Sequence, residues 1–193
     1  MTAPMTFGGL GCGRAIVMAS DLGDLEPDPV TSLGPTMIRV IPTAASDWIS
    51  VTDSELSAST LLSWAVRPHC GAVVSFCGTV RDSSSGQHDV IALEYETCLE
   101  LAERSLAEIV SAARERWPSL GAVAIHHRLG RVALGETAVV VAVSSPHRTE
   151  AFEAAQYCID SLKESVPMWK REVWEGGSAW SGESRPIAKI QHG

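Results

Sequence analysis

No two cysteines of this 193-residue chain are spaced as Cys-x-x-Cys; Cys12, Cys70, Cys77, Cys98 and Cys158 are odd in number and scattered. Neither a zinc ribbon nor a disulfide framework is indicated, and reduced thiols in a cytoplasmic protein are expected. No apolar run approaches the roughly 20 residues needed to cross a bilayer, and no basic segment followed by an apolar stretch opens the chain. Positive charge is also scarce. The net charge is −8, and residues 1–60 hold seven acids (Asp21, Asp24, Glu26, Asp28, Asp47, Asp53, Glu55) against Arg14 and Arg39. Such a chain has no broad cationic surface for a phosphate backbone, so nucleic acid is not an expected partner, although a local anion site is compatible with the balance. The glycine-rich stretch Gly8 to Gly13 follows no strand and is not closed by Gly-Lys-Ser/Thr, so it is not a phosphate loop. His126 and His127 are strand neighbours that face opposite ways and do not suit one metal ion. Neither a metal nor a cofactor is expected.

What is present is an ordinary globular composition, 45% hydrophobic and 20% charged, long enough for a sizeable core. Residues 1–36 are rich in Gly, Pro, Ser, Thr and Asp without sustained periodicity, and read as a disordered leader, with Met18 or Met37 as alternative starts. A folded domain is expected over 37–182, followed by a tail over 183–193. Met37 to Ile41 reads as a strand and Ser54 to Trp64 as a short helix capped by Thr52 or Ser54. Gly71 to Val80 and Val90 to Tyr95 read as strands of a hairpin with a long polar tip. Residues 98–117 place Leu99, Ala102, Leu106, Ile109, Val110, Ala113 and Trp117 at helical spacing, and Pro118 stops the run. Strands follow at Ala122 to Arg128 and Thr137 to Val143 around a turn at 129–136. A second long helix is expected from Thr149, its N-cap, to Val166 before Pro167, and a last strand from Trp169 to Trp174 before a turn at 175–178. The order predicts an α+β fold with helices packed on a mostly antiparallel sheet.

Three clusters can carry chemistry. Ser144-Ser145-Pro146-His147-Arg148 leaves an apolar strand and enters a helix, where unpaired N–H groups and the helix dipole favour an anion such as phosphate, and His147 and Arg148 strengthen that field. The plainer reading has Arg148 paired with Glu150 or Glu153 on the surface. Around the far end of the same helix, Lys163 borders the apolar face, where partial burial would suit it to acid–base work, and Lys170-Arg171 follow. Their plainer reading is a lysine complementing the helix C-terminus and two solvated strand residues. Arg81 directly follows the Gly78-Thr79-Val80 strand end and suits bidentate phosphate contact, although most surface arginines do nothing specific. Cys77 reads as a strand thiol without an activating neighbour rather than as a nucleophile.

Gly71-Ala-Val-Val-Ser-Phe-Cys-Gly-Thr-Val-Arg81, Leu93-Glu-Tyr-Glu96, Ile125-His-His-Arg-Leu-Gly130, Ser145-Pro-His-Arg148 with Ala151-Phe-Glu-Ala154, and Leu162-Lys163 with Pro167-Met-Trp-Lys-Arg-Glu172 together resemble the molybdopterin synthase catalytic-subunit family over residues 37–182. The resemblance implies an α/β hammerhead-type fold with a small additional β subdomain, a homodimer, and a heterotetramer with a small β-grasp sulfur carrier whose Gly-Gly C-terminus enters the pocket as a thiocarboxylate. It implies sulfur transfer to cyclic pyranopterin monophosphate, giving the dithiolene of molybdopterin. Arg81, His147 and Arg148 would hold the substrate, Lys163 and Lys170 would serve the carrier's C-terminus and the transfers, and Arg171 would support substrate binding. Thr79 stands where the family often has a basic residue, and the leader has no counterpart in the family pattern. Two other readings use the same residues: a non-catalytic module that holds the tail of a ubiquitin-like partner, and a phosphoester enzyme with His147 as acid–base, which the missing metal set and nucleophile disfavour.

Overall fold

The computed structural model describes residues 46–83 and 88–181. The leader, the strand expected at Met37 to Ile41 and the tail from 183 lie outside the described residues, as does part of the expected hairpin tip.

Two four-stranded sheets organise the described chain. The first contains β1 (Asp47–Thr52), β2 (Ala72–Thr79), β4 (Val123–Arg128) and β6 (Thr137–Ser145) in the order β1-β4-β6-β2, with β1 parallel to β4 and the other pairs antiparallel. The second contains β3 (Val90–Thr97), β5 (Gly130–Ala133), β7 (Met168–Trp174) and β8 (Gly177–Trp180) in the order β5-β3-β7-β8, antiparallel throughout. Among the described residues three helices accompany the sheets: α1 (Ala58–Ala65), α2 (Leu99–Arg116) and α3 (Arg148–Ser165). The mixed α+β fold is the one the sequence predicts.

β6 shows why the first sheet is buried on both faces. Its Val139, Val141 and Val143 join Val123 and Ile125 against Leu106 and Ile109 of α2 and Ile159 and Leu162 of α3, while Val140 and Ala142 face Trp48 and the Leu61 and Ala65 side chains of α1. Alternation places β-branched residues on two packed faces, the arrangement that suits a central strand. The sheet is thus the middle layer between α1 and the α2–α3 pair. His126 packs edge-on against Trp48 at 4.6 Å and His127 against Tyr95 at 4.9 Å, on opposite faces as the alternation requires.

Several expectations are corrected. Gly71 to Val80 and Val90 to Tyr95 are both strands but not a hairpin: β2 pairs with β6, and β3 pairs with β5 and β7. Short-range reading joins consecutive strands, whereas here two sheets compete for partners and burial decides. The first helix begins after Ser57, whose Oγ accepts from the Thr60 N–H at 3.2 Å, rather than after Thr52 or Ser54. The N-cap of α3 is His147, not Thr149. β5 and β8 overlap the turns expected over 129–136 and 175–178, and β1 lies where no strand is expected; β5 and β8 are four-residue segments made extended by pairing.

Candidate active site

The C-terminal end of β6 is bolted to the start of β4. The Ser144 Oγ accepts from the Ala122 N–H at 2.9 Å, and Gly121 and Ser144 join backbone to backbone at 2.8 Å. Gly71 lies so close to the Pro146 carbonyl that a Cβ there would stand 2.9 Å from it. This fixed junction turns the chain into α3. His147, the N-cap, has extended backbone (φ −125°, ψ 152°) and makes no side-chain capping bond. It and Arg148 are exposed beside the first-turn N–H groups, while the Ser145 hydroxyl behind them is buried without a hydrogen-bond partner. The sequence-predicted anion cluster therefore exists as one local unit at a helix N-terminus.

Arg81, Lys163 and Lys170 belong to the other end of the sheet. Thr79 pairs with Thr137 at the start of β6, so Arg81 emerges there. After the short connection, α3 runs back along β6; 18 residues of helix span ~27 Å and nine of strand ~30 Å. Its last turn, with exposed Lys163, comes level with the start of β6. The helix stops where Val166 takes extended backbone before Pro167. The Thr97 hydroxyl, donating to the Pro167 carbonyl at 2.6 Å, ties this junction to the end of β3.

Lys170 then falls opposite Tyr95 on β3, and Glu172 opposite Leu93. Tyr95 and Leu93 pack against the cluster of Val80, Val132 and Ala138, and Val80 directly precedes Arg81, so the inward face of β7 is the one that approaches the Arg81 end. The Lys170 Nζ stands 3.7 Å from the Glu172 carboxylate, which is almost wholly buried. Burial pushes the Tyr95 phenol up to about 12 and the His127 ring down to about 4, the latter against a hydrogen bond to the Arg128 carbonyl; both are neutral near pH 7. Lys170 thus sits on an uncharged aromatic floor with one carboxylate at its side.

Arg171 is turned away from this group. It pairs in register with Glu94 and Trp180, makes an ion pair with Glu94 and lies over the Trp180 ring at 5.5 Å. Neighbouring strand residues face opposite ways, so Lys170 and Arg171 are on different faces of β7. The sequence-predicted set is therefore divided: His147 with Arg148 at one end of β6, Arg81 with Lys163 and Lys170 at the other, and Arg171 on the outer face of the second sheet. Sequence reasoning missed Tyr95 and Glu172 as neighbours of Lys170. Two-residue spacing from Lys170 was the available signal for Glu172; none exists for Tyr95, which is 75 residues away in the chain.

Among the described residues no group of His, Cys, Asp and Glu is arranged to hold a metal ion, and no helix is long and apolar enough to cross a membrane. Cys70, Cys77 and Cys158 are free thiols; Cys158 lies within the core, where burial pushes it up to about 12, which makes it a poor nucleophile.

The profile of the MoaE protein family matches residues 51–165. The molybdopterin synthase catalytic subunit of Taeniopygia guttata is 44% identical over 137 residues, spanning 71% of this chain and 88% of that protein. Molybdopterin synthase from Staphylococcus aureus superposes with a TM-score of 0.65 at 38% identity, covering 69% of this chain and 96% of that one. The complex of subunits 1 and 2 of molybdopterin-converting factor from Helicobacter pylori matches with a TM-score of 0.60 at 20% identity, covering 74% of this chain and 95% of that one, a likeness of fold.

Proposed function

This chain belongs to the MoaE protein family, and from that premise we propose that it is a molybdopterin synthase catalytic subunit, a sulfurtransferase that moves sulfur from the thiocarboxylated C-terminus of a small sulfur-carrier protein to cyclic pyranopterin monophosphate. What supports the reading is that Thr79, two residues before Arg81, pairs with the start of β6, that Lys163 lies in the last turn of α3, and that Lys170 pairs with Tyr95, whose ring packs on the neutral His127. The carrier brings activated sulfur, so the enzyme needs no thiol of its own; it has to hold two reactants together and stabilise charge on a carbonyl and a phosphate. Lys163 and Lys170 serve the carrier's C-terminal carbonyl, and Arg81, His147 and Arg148 hold the substrate, with Arg171 contributing to substrate binding only through the support its β-strand gives Lys170.

His147 and Arg148 are about a strand length from Arg81 in one copy, some 30 Å. The proposal is therefore of a homodimer in which the His147–Arg148 corner of one copy completes the Arg81–Lys163–Lys170 pocket of the other, a closed two-fold arrangement that forms two such pockets. Two carriers docked on it give the heterotetramer.

The test is conversion of cyclic pyranopterin monophosphate to molybdopterin by the purified chain with a thiocarboxylated carrier, run beside Lys163→Ala. Product from the natural chain, and its loss in the variant with carrier affinity intact, is the expected result. Tight carrier binding without product would leave a module that merely holds the tail of a ubiquitin-like partner.

A further inference from the structure

A side chain outside the substrate set fixes the backbone from which Arg81 projects. The Glu136 carboxylate accepts from the Arg128 guanidinium at 2.9 Å and, with the same oxygen, from the Ala133 N–H at 2.9 Å. It thereby ties the end of β4 to the turn between β5 and β6. That turn grips Val80 from both sides: the Val80 N–H donates to the Glu136 carbonyl at 3.0 Å, and the Gly135 N–H donates to the Val80 carbonyl at 2.8 Å. Gly135 has φ +82°, a conformation that glycine adopts without strain and that aims its N–H at Val80. On the other side of Arg81, the Asp82 carbonyl accepts from the Val90 N–H at 2.9 Å.

Two features set this apart from ordinary turn chemistry. The register of β2 against β6 slips between Gly78 and Thr79, and a bulge of this kind re-aims the residues that follow it. Without a further hold, the chain after the slip would be a free strand end. The Arg128 side chain is 13% exposed, and a largely buried guanidinium is costly unless paired and hydrogen-bonded, so the clamp keeps one orientation. We propose that Glu136, with Arg128, is a positioning residue for Arg81: it holds the β5–β6 turn in the one shape that clasps Val80 and so directs the Arg81 guanidinium at the substrate's anionic group. This rests on Arg81 being a substrate-binding residue, as proposed above.

A double-mutant cycle on the full chain, assayed with cyclic pyranopterin monophosphate and thiocarboxylated carrier, separates the two ideas. Arg81→Ala should raise KM for the pyranopterin roughly 10- to 100-fold, the loss of one or two charge-assisted hydrogen bonds. Glu136→Gln should raise the same KM by roughly three- to tenfold with kcat within about twofold, and should add nothing on the Arg81→Ala background, because residues acting through one group are not additive. If Glu136→Gln leaves KM unchanged, lowers kcat and thermal stability alone, or multiplies with Arg81→Ala, the positioning role is wrong. If Arg81→Ala itself leaves KM unchanged, the substrate-binding reading of Arg81 fails first and takes this inference with it. Should Glu136→Gln not fold, Arg128→Lys retains the charge but loses the guanidinium fork, and the same KM rise and the same non-additivity are required of it.

Discussion

Tyr95 and Lys170 stand directly opposite each other on antiparallel β3 and β7, with the Tyr95 ring edge-on to His127 at 4.9 Å. This pairing brings residues far apart in the chain onto one floor.

The Glu172 carboxylate beside Lys170 should matter to stability as well as to the site. Glu172→Ala removes a buried acid and leaves a largely buried lysine without that partner. A loss of about 1 kcal/mol is expected, the scale of an ion pair in a partly screened setting. Urea unfolding at neutral pH reads it as a lower midpoint with an unchanged slope.

His127 predicts an acid sensitivity with a defined sign. Its native pKa of about 4 lies below the ordinary 6.5 because burial disfavours the imidazolium. Between those values the unfolded chain binds a proton that the native chain does not, so stability falls as pH drops through this window and levels off below it. The full effect is up to about 3 kcal/mol. In His127→Phe the part of the pH dependence between 6.5 and 4 should shrink; a curve superimposable on that of the natural chain would show that His127 is not its source.

Gly121 sits where a Cβ would come 2.3 Å from the Cys70 Sγ and 2.9 Å from the Ser144 Oγ. Gly121→Ala should therefore destabilise the protein by about 1–3 kcal/mol through overpacking. Adding Cys70→Ala should recover part of that loss, measurable as a positive coupling in thermal melts.

Leu106 is completely buried between α2 and the first sheet. Leu106→Ala is expected to cost about 2–5 kcal/mol, the transfer of a side chain plus the cavity left behind. A loss below about 1 kcal/mol in equilibrium unfolding would mean that this core collapses around the gap.

The divided site makes a prediction about mixed subunits. Arg81→Ala and Arg148→Ala chains should each be impaired alone. After unfolding and refolding together, half of the dimers carry both kinds of chain, each with one intact pocket, so about a quarter of natural activity should return. No recovery would place both arginines in one pocket of one chain.

Much of the fold was legible in the sequence because its signals are local. The apolar spacing of residues 98–117 and of the helix ended by Pro167 specifies α2 and α3 to within a residue or so at each end, and the unbroken apolar run from Ala138 to Val143 specifies a strand. The chemical types of the site were legible too: His147 and Arg148 at a helix start, Lys163 at its last turn, Arg81 at a strand end. Pairing was not, since hydrogen bonds between strands join residues distant in the chain; burial then chose β6 for β2 and β7 for β3, where adjacency in sequence suggested a hairpin. The four-residue strands β5 and β8 have too few side chains to show a period and become strands only against β3 and β7. Sequence by itself thus determined which residues have the chemistry and which segments form helices and the longer strands. Only the tertiary structure decided that Lys170 faces inward beside Glu172 while Arg171 faces outward to Glu94, and that Arg148 and Arg81 lie at opposite ends of β6, because side-chain direction and end-to-end distance follow from register and packing.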